Sequence, residues 1–327
     1  MVNYVSSHGY VLIGKETNWG TAVSATKDVG LIQNFTATDR NTITAIYAAG
    51  SAEPQAQVAG LFDTSGSIDV IYQHGRLLEY IFGSVTHQET NGDWKHTFTP
   101  SADLPSFTCE YGLDSTSDAV WKYAGCKLTS LTISLTPDTS LRMRADYIAK
   151  TVSTSTTAST KIISTLAPLP GFHGSVATGA EGSETTLGQV QSFDVTINFG
   201  QAAISPQLGS RLGGALLQGQ RNYTFALTML FSSLDEYGRF LAGSTSSTSP
   251  AETSTPTIPS IVIKADNGVD LGSGKRAFYI QLKNAVYHEA SAPLVVGDYV
   301  IASFTGYATG LGTNGCYTVD NISSTNW

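Results

Sequence analysis

The feature of this chain that most constrains its fold is an order of segments that recurs. Val58–Tyr72 (VAGLFDTSGSIDVIY) runs into a short helical stretch, Gly75–Phe82 (GRLLEYIF), closed by Gly83. Leu217–Phe231 (LQGQRNYTFALTMLF) runs into Leu234–Ala242 (LDEYGRFLA), closed by Gly243, so the closing glycines lie 160 positions apart (243 − 83) in a chain of 327. A strand-like segment follows in each half, Trp121–Leu135 and then Ala277–Glu289. Each leads to an Asp-Tyr strand, Ala145–Ala149 and Gly297–Ala302. The spacing shrinks to 156 between Lys127 and Lys283 (283 − 127) and to 152 between Asp146 and Asp298 (298 − 146). Loop-length differences produce such drift, whereas chance matches have no reason to stay in order. The pattern predicts a tandem pair of similar units.

The units are expected to be made of strands. Thr, Val, Ile and Tyr suit a pleated, half-buried surface, and the 32 glycines supply turns. With 41% hydrophobic and only 13% charged residues, the chain has the wrong composition for disorder. Phe193, Val195 and Ile197 alternate with Asp194, Thr196 and Asn198, the period of a strand with one buried face. Leu128, Leu131, Ile133 and Leu135 keep that period with one slip at Thr129–Ser130, which predicts a bulge. In the first helix Leu77, Leu78, Ile81 and Phe82 form one apolar stripe with Glu79 opposite. Val29–Thr38 and Thr42–Ala48 read as strands parted by a polar turn at Asp39–Asn41. The expected organisation is a first unit over 1–150, a Ser/Thr-rich linker or arm over 151–165, a second unit over 166–309 and a tail over 310–327.

The sequence spells out none of the common catalytic or nucleotide-binding signatures. Gly272-Ser273-Gly274-Lys275-Arg276 lacks the glycine and hydroxyl positions of a phosphate loop. No GxSxG elbow is present, and Asp235-Glu236 sits where carboxylates complement a helix dipole. His87 and His96 flank Asn91-Gly92, so they meet across two strands if that turn makes a hairpin; a surface pair is the favoured reading over a metal site. Three Asn-X-Ser/Thr matches, at Asn34, Asn222 and Asn321, carry little weight without a secretory leader. Cys109, Cys126 and Cys316 form no disulfide framework; buried thiols are expected, with a Cys109–Cys126 bridge as the alternative. No catalytic residues, cofactor or metal ligands are assigned. The N-terminus lacks the pattern of a signal peptide and no segment has the length of a membrane helix, so a soluble protein made in the cytoplasm is expected. A net charge of −8 argues against a protein that wraps nucleic acid.

Several segments taken together resemble the major tail tube protein family of tailed viruses (bacteriophage or archaeal), in its long form. They are GKETNWGT (Gly14–Thr21), QVAG (Gln57–Gly60), HGRLLEYIFG (His74–Gly83), YAGCKLTSLTISL (Tyr123–Leu135), RNYTFALTMLF with YGRFLAG (Arg221–Gly243), and KNAVYHEASAP with VVGDYV (Lys283–Val300). The resemblance implies a mainly β fold, two tandem β-sandwich or half-barrel units each with one short flanking helix. It implies a structural virion protein whose rings stack into a hollow conduit for genome delivery, assembled in the host cytoplasm into the virion tail. Two units per chain imply a homotrimeric, pseudo-hexameric ring, with a homohexamer as the competing arrangement. Implied partners are further copies, the tape measure, the terminator and the baseplate; DNA passes through the lumen without specific binding, and no membrane is involved. The loops Asp39–Gln55 and Gly200–Gly214 are the candidates for stacking, through Arg40, Tyr47, Glu53, Gln207 and Arg211. Asp69 and Glu110 are candidates for an acidic lumen that repels phosphate. The alternative class is a carbohydrate-binding or adhesive β-sandwich module of a virion or cell surface, presenting Trp94, Tyr111 and Trp121.

Overall fold

Apolar residues that alternate with Ser, Thr and Asp bury one face of a pleated strand, and such runs dominate the chain. The structure is a computed structural model that describes residues 9–113, 119–155, 157–199, 203–270, 275–294 and 299–327. The first half carries β1 (Tyr10–Lys15), β2 (Lys27–Asp28), β3 (Leu31–Ile46), β4 (Ala56–Ile71), α1 (Arg76–Phe82), β5 (Gly83–Thr90), β6 (Asp93–Pro100), β7 (Phe107–Gly112), β8 (Val120–Leu135), β9 (Arg142–Ala149) and β10 (Thr151–Ser155). The second carries β11 (Ser175–Gly179), β12 (Thr185–Thr186), β13 (Val190–Phe199), β14 (Ala203–Ser205), β15 (Ala215–Leu217), β16 (Arg221–Leu230), α2 (Asp235–Ala242), β17 (Ile258–Asp270), β18 (Lys275–Ser291), β19 (Ile301–Ala308) and β20 (Gly310–Asp320). The fold is mainly β with antiparallel pairing, as the composition predicts.

Two layers enclose the core. One is a continuous sheet in the order β3-β4-β9-β8-β13-β16-β19-β18. β8 and β18 are long enough to leave it, and their N-terminal halves join the second layer. There β1, β7, β8 and β10 pair in one group. β11, β17, β18 and β20 pair in the other, which β6 and β5 extend. Ile68, Leu131, Ile133, Met143, Phe193, Leu227 and Phe304 are among the side chains buried between the layers.

Strand pairing in the continuous sheet repeats at a fixed spacing. Gly66 faces Tyr147 and Phe225 faces Gly306, so each strand position recurs 159 residues later (225 − 66; 306 − 147). The bulge between Leu128 and Ser130, where the slip predicts one, recurs between Tyr287 and Glu289, again 159 apart (287 − 128). β3 and β13 correspond at 158, with Phe35 opposite Ile68 and Phe193 opposite Leu227 (193 − 35). This corrects the spacings read from side chains. The register counterpart of Asp146 is Thr305, not Asp298; Val295–Asp298 lie outside the described residues.

Other expectations need correction. Asp39–Asn41 is no turn: β3 runs through it as one strand, with a register shift between Asn41 and Ile43. The distal hairpin of β3 and β4 is solvated on both sides, so polar residues there meet no desolvation penalty and leave no alternation to read. α1 is buried on all sides, Glu79 included. Lys15 pairs with that carboxylate, and Trp327 Nε1 donates to it at 3.2 Å. The segment after 309 is no tail, because β20 is an interior strand between β18 and β6. Residues 151–165 are not a solvated linker: β10 pairs along β8, Ile162 bridges to Lys27, and Ser159 N–H donates to Glu110 at 2.8 Å. The two helices end as expected, at Gly83 and Gly243 in the left-handed region. All three cysteines are free and buried.

Candidate assembly surfaces

The continuous sheet ends in two strands that each lack a partner on one side within the described residues. β3 pairs only with β4 in this sheet, and the C-terminal half of β18 pairs only with β19. Such rows of backbone N–H and C=O groups invite another strand. In the middle of the sheet a joint of the same kind is already closed. β8 meets β13 antiparallel, with Ser130 opposite Asn198, Thr132 opposite Thr196 and Leu135 opposite Phe193. On the core side of that joint Leu131, Ile133, Phe193, Val195 and Ile197 are buried. On its other side the hydroxyls of Thr132 and Thr196 bond at 3.0 Å.

The sheet face away from the core is rich in hydroxyls. Asn34, Asp69, Arg144, Thr132, Thr196, Thr224 and Tyr307 follow one another across the strands in direct register. Its charges largely offset each other: Arg142 donates to Asp69 at 2.8 Å, and Arg144 lies 3.6 Å from Asp146. Asp69 is thus on this face as a paired carboxylate. Glu110 is not; it is fully buried in the other layer. There Lys122 Nζ lies 3.0 Å from Glu110 Oε2 and Tyr10 Oη donates to Oε1 at 2.9 Å. Burial opposes the Glu110 charge, but the hydrogen bonds from Ser159, Lys122 and Tyr10 outweigh it and hold the carboxyl below its usual pKa. Glu110 therefore offers no charge to a lumen.

At one end of the sheet the strands run on into projecting hairpins. The distal parts of β3 and β4 form the longer one, whose exposed side chains include Ile43, Ile46, Tyr47 and Val58. β14 and β15 form the shorter one, with Leu208 and Leu217 exposed; Gly200–Ala202 lie outside the described residues. Of the residues singled out from sequence, Arg40 is within β3, Tyr47 and Glu53 are at the long tip, and Gln207 and Arg211 are on the short one. Arg211 turns toward its neighbour in the same chain. Its Nε donates to Gly60 O at 2.9 Å and its Nη2 to Asn41 Oδ1 at 2.7 Å, which ties the two hairpins together. Sequence reading missed Ile43, Ile46 and Val58, whose exposure shows only once the hairpin is known to have solvent on both sides.

Elsewhere the ionisable groups serve the fold. Asp28 pairs with buried Arg76, and His74 Nε2 lies 3.2 Å from the same carboxylate. His87 and His96 do meet across the β5–β6 hairpin, with Nδ1 atoms 2.6 Å apart, and Trp327 stacks on His96 at 3.9 Å. No group of three metal-ligating side chains gathers among the described residues.

A mainly antiparallel protein with an open-ended sheet, paired projecting hairpins and a hydroxyl-rich face whose charges are paired has the build of a structural subunit that polymerises. The chain belongs to the phage tail tube protein family, which it matches over residues 6–308. It is thus a structural component of a virion tail, a tube subunit that assembles with copies of itself and associates with other tail proteins. A comparison with curated proteins finds no match to the chain.

Proposed function

We propose that the chain is two copies of one tube unit, and that three chains close a ring whose inner wall is a single barrel. Support comes from the recurring register, 159 residues for three strands and 158 for β3, which relates β3-β4-β9-β8 to β13-β16-β19-β18 strand by strand. The β8–β13 joint is the single observation that carries the reading, because it joins one quartet to the next inside one chain. Repeating the operation head to tail leaves the same free edges until rotation closes it. Closure removes every open edge of the sheet. Three chains of eight strands then supply the wall that six separate units would.

The hydroxyl-rich face turns inward in this arrangement, and genome passes along it. The face is near neutral rather than strongly acidic, so phosphate finds neither a cationic trap nor a repulsive wall. The hairpins carrying Tyr47, Glu53, Gln207 and Arg211 point along the axis and dock on the next ring, while Arg40 faces a ring neighbour. The ends of the tube meet the tape measure, terminator and baseplate, and assembly takes place in the host cytoplasm. Electron microscopy of the purified protein tests the reading: rings or hollow filaments with threefold mass repeats are expected, and persistent monomers under all conditions overturn it.

A further inference from the structure

The closed joint in mid-chain specifies the open one between chains. With β8 carried to β18 by 159 residues and β13 to β3 by 158, Leu135–Phe193 becomes Leu294–Phe35 and Thr132–Thr196 becomes Ser291–Thr38. The apolar pair keeps its chemistry residue for residue, and the hydroxyl pair stays a hydroxyl pair. The outermost pair, Ser130–Asn198, becomes Glu289–Arg40, which are of opposite charge. Nothing in the 159-residue offset requires that complementarity, since neither residue meets the other within one chain.

The space beside β3 agrees. In mid-chain, the groove lined by Val176, Val190 and Phe193 is occupied by Leu135, and only about 40 Å³ remains. At β3 the corresponding groove is lined by Leu12, Ile32, Phe35 and Tyr111 and is open, with about 860 Å³. Leu294, the counterpart of Leu135, is 83% exposed, whereas Leu135 is 6% exposed. An empty socket and a solvated plug are thus carried on opposite edges of one molecule.

We propose that residues 289–294 of one chain add to β3 of a second copy in this register, with Leu294 seated in the groove beside Phe35 and Glu289 paired with Arg40. The inference rests on the ring reading above. Pro293, which falls opposite Thr36, forgoes one ladder donor, as edge strands tolerate.

Cysteine cross-linking tests the register. Thr38→Cys with Ser291→Cys places thiols on directly opposed residues, within disulfide reach, and Thr36→Cys with Ser291→Cys is the slipped control. The native thiols are buried and do not compete. Oxidised assemblies of the matched pair are expected to give a denaturing-gel ladder that ends at three chains, with the slipped pair unlinked. Filaments whose matched pair stays unlinked, or whose slipped pair links instead, overturn the register while leaving the tube intact. A ladder ending at six keeps the register but rejects the three-chain ring. Wild-type protein that never assembles removes both. Leu294→Asp should lower the assembled fraction at least about tenfold without moving the unfolding midpoint of the monomer; normal assembly of that variant counts against the seated plug.

Discussion

Glu16 belongs to the GKETNWGT segment that carries part of the family likeness, and its surroundings give that segment a structural reason. The buried carboxylate accepts from Gly20 N–H at 3.0 Å, Ser106 Oγ at 2.7 Å, Thr108 Oγ1 at 2.8 Å and Gly125 N–H at 2.8 Å. Trp19 Nε1 donates to Gly125 O at 3.0 Å, so the turn is clamped to β8 from both sides. Glu16→Gln puts an amide donor among donors and should lower stability by about 2–4 kcal/mol, read by urea unfolding. His74 makes a second prediction. Its burial outweighs the pull of Asp28 and lowers the imidazole pKa. The unfolded chain therefore takes up a proton that the folded chain refuses, and stability is full above about pH 6.5 and declines as pH falls below it. The urea midpoint should drop between about pH 7.5 and 5.5, and His74→Gln should drop less. Residue identity also hides the repeat. Tyr147 lies over Gly66, where a Cβ would come within 2.6 Å of the tyrosine oxygen; 159 residues on, Phe225 lies over Gly306, where a Cβ would come within 2.5 Å of the phenyl ring. Ring and glycine have changed strands, so one packing arrangement is written with inverted letters.

Elements were legible where one face is buried and the other wet. β13, β16 and the bulge of β8 are of that kind, and their period survives in the sequence. β5 (GSVTHQET) and β20 (GLGTNGCYTVD) are not, since polar and glycine residues dominate both, and only their pairing makes them strands. The surfaces for assembly were legible as segments but not as roles. Glu110 looked like a surface charge and proved to be a buried anchor, because local spacing does not reveal that Lys122 and Ser159 converge on it. The long hairpin of β3 and β4 is the element on which stacking is expected to depend. Ile43→Asp with Tyr47→Asp should leave single rings and monomer stability within about 0.5 kcal/mol of wild type, while filaments disappear from micrographs. The C-terminal segment has the opposite character. Arg76 Nη2 donates to Asn326 O at 2.8 Å, and Trp327 packs on His96 and Phe98, so this segment holds α1 in place. Trp327→Ala should lower stability by about 1–3 kcal/mol, measured by chemical denaturation.

For the whole molecule, mass is the discriminating measurement. A chain of 34.6 kDa closing in threes gives a ring of about 104 kDa (3 × 34.6), and native mass spectrometry of dissociating tubes should show that species and its multiples. In a three-chain ring, halving the number of separate bodies would also lower the order of the association reaction, because alternate joints would form during folding at any dilution.

The hairpin of β5 and β6 docks on β20, and the described part of the second half has no hairpin between α2 and β17. A conduit made from three chains would consequently wear this ridge at every other station around its circumference. Any collar or clamp that grips there would feel a triangular tube, even though the bore it surrounds would be nearly hexagonal.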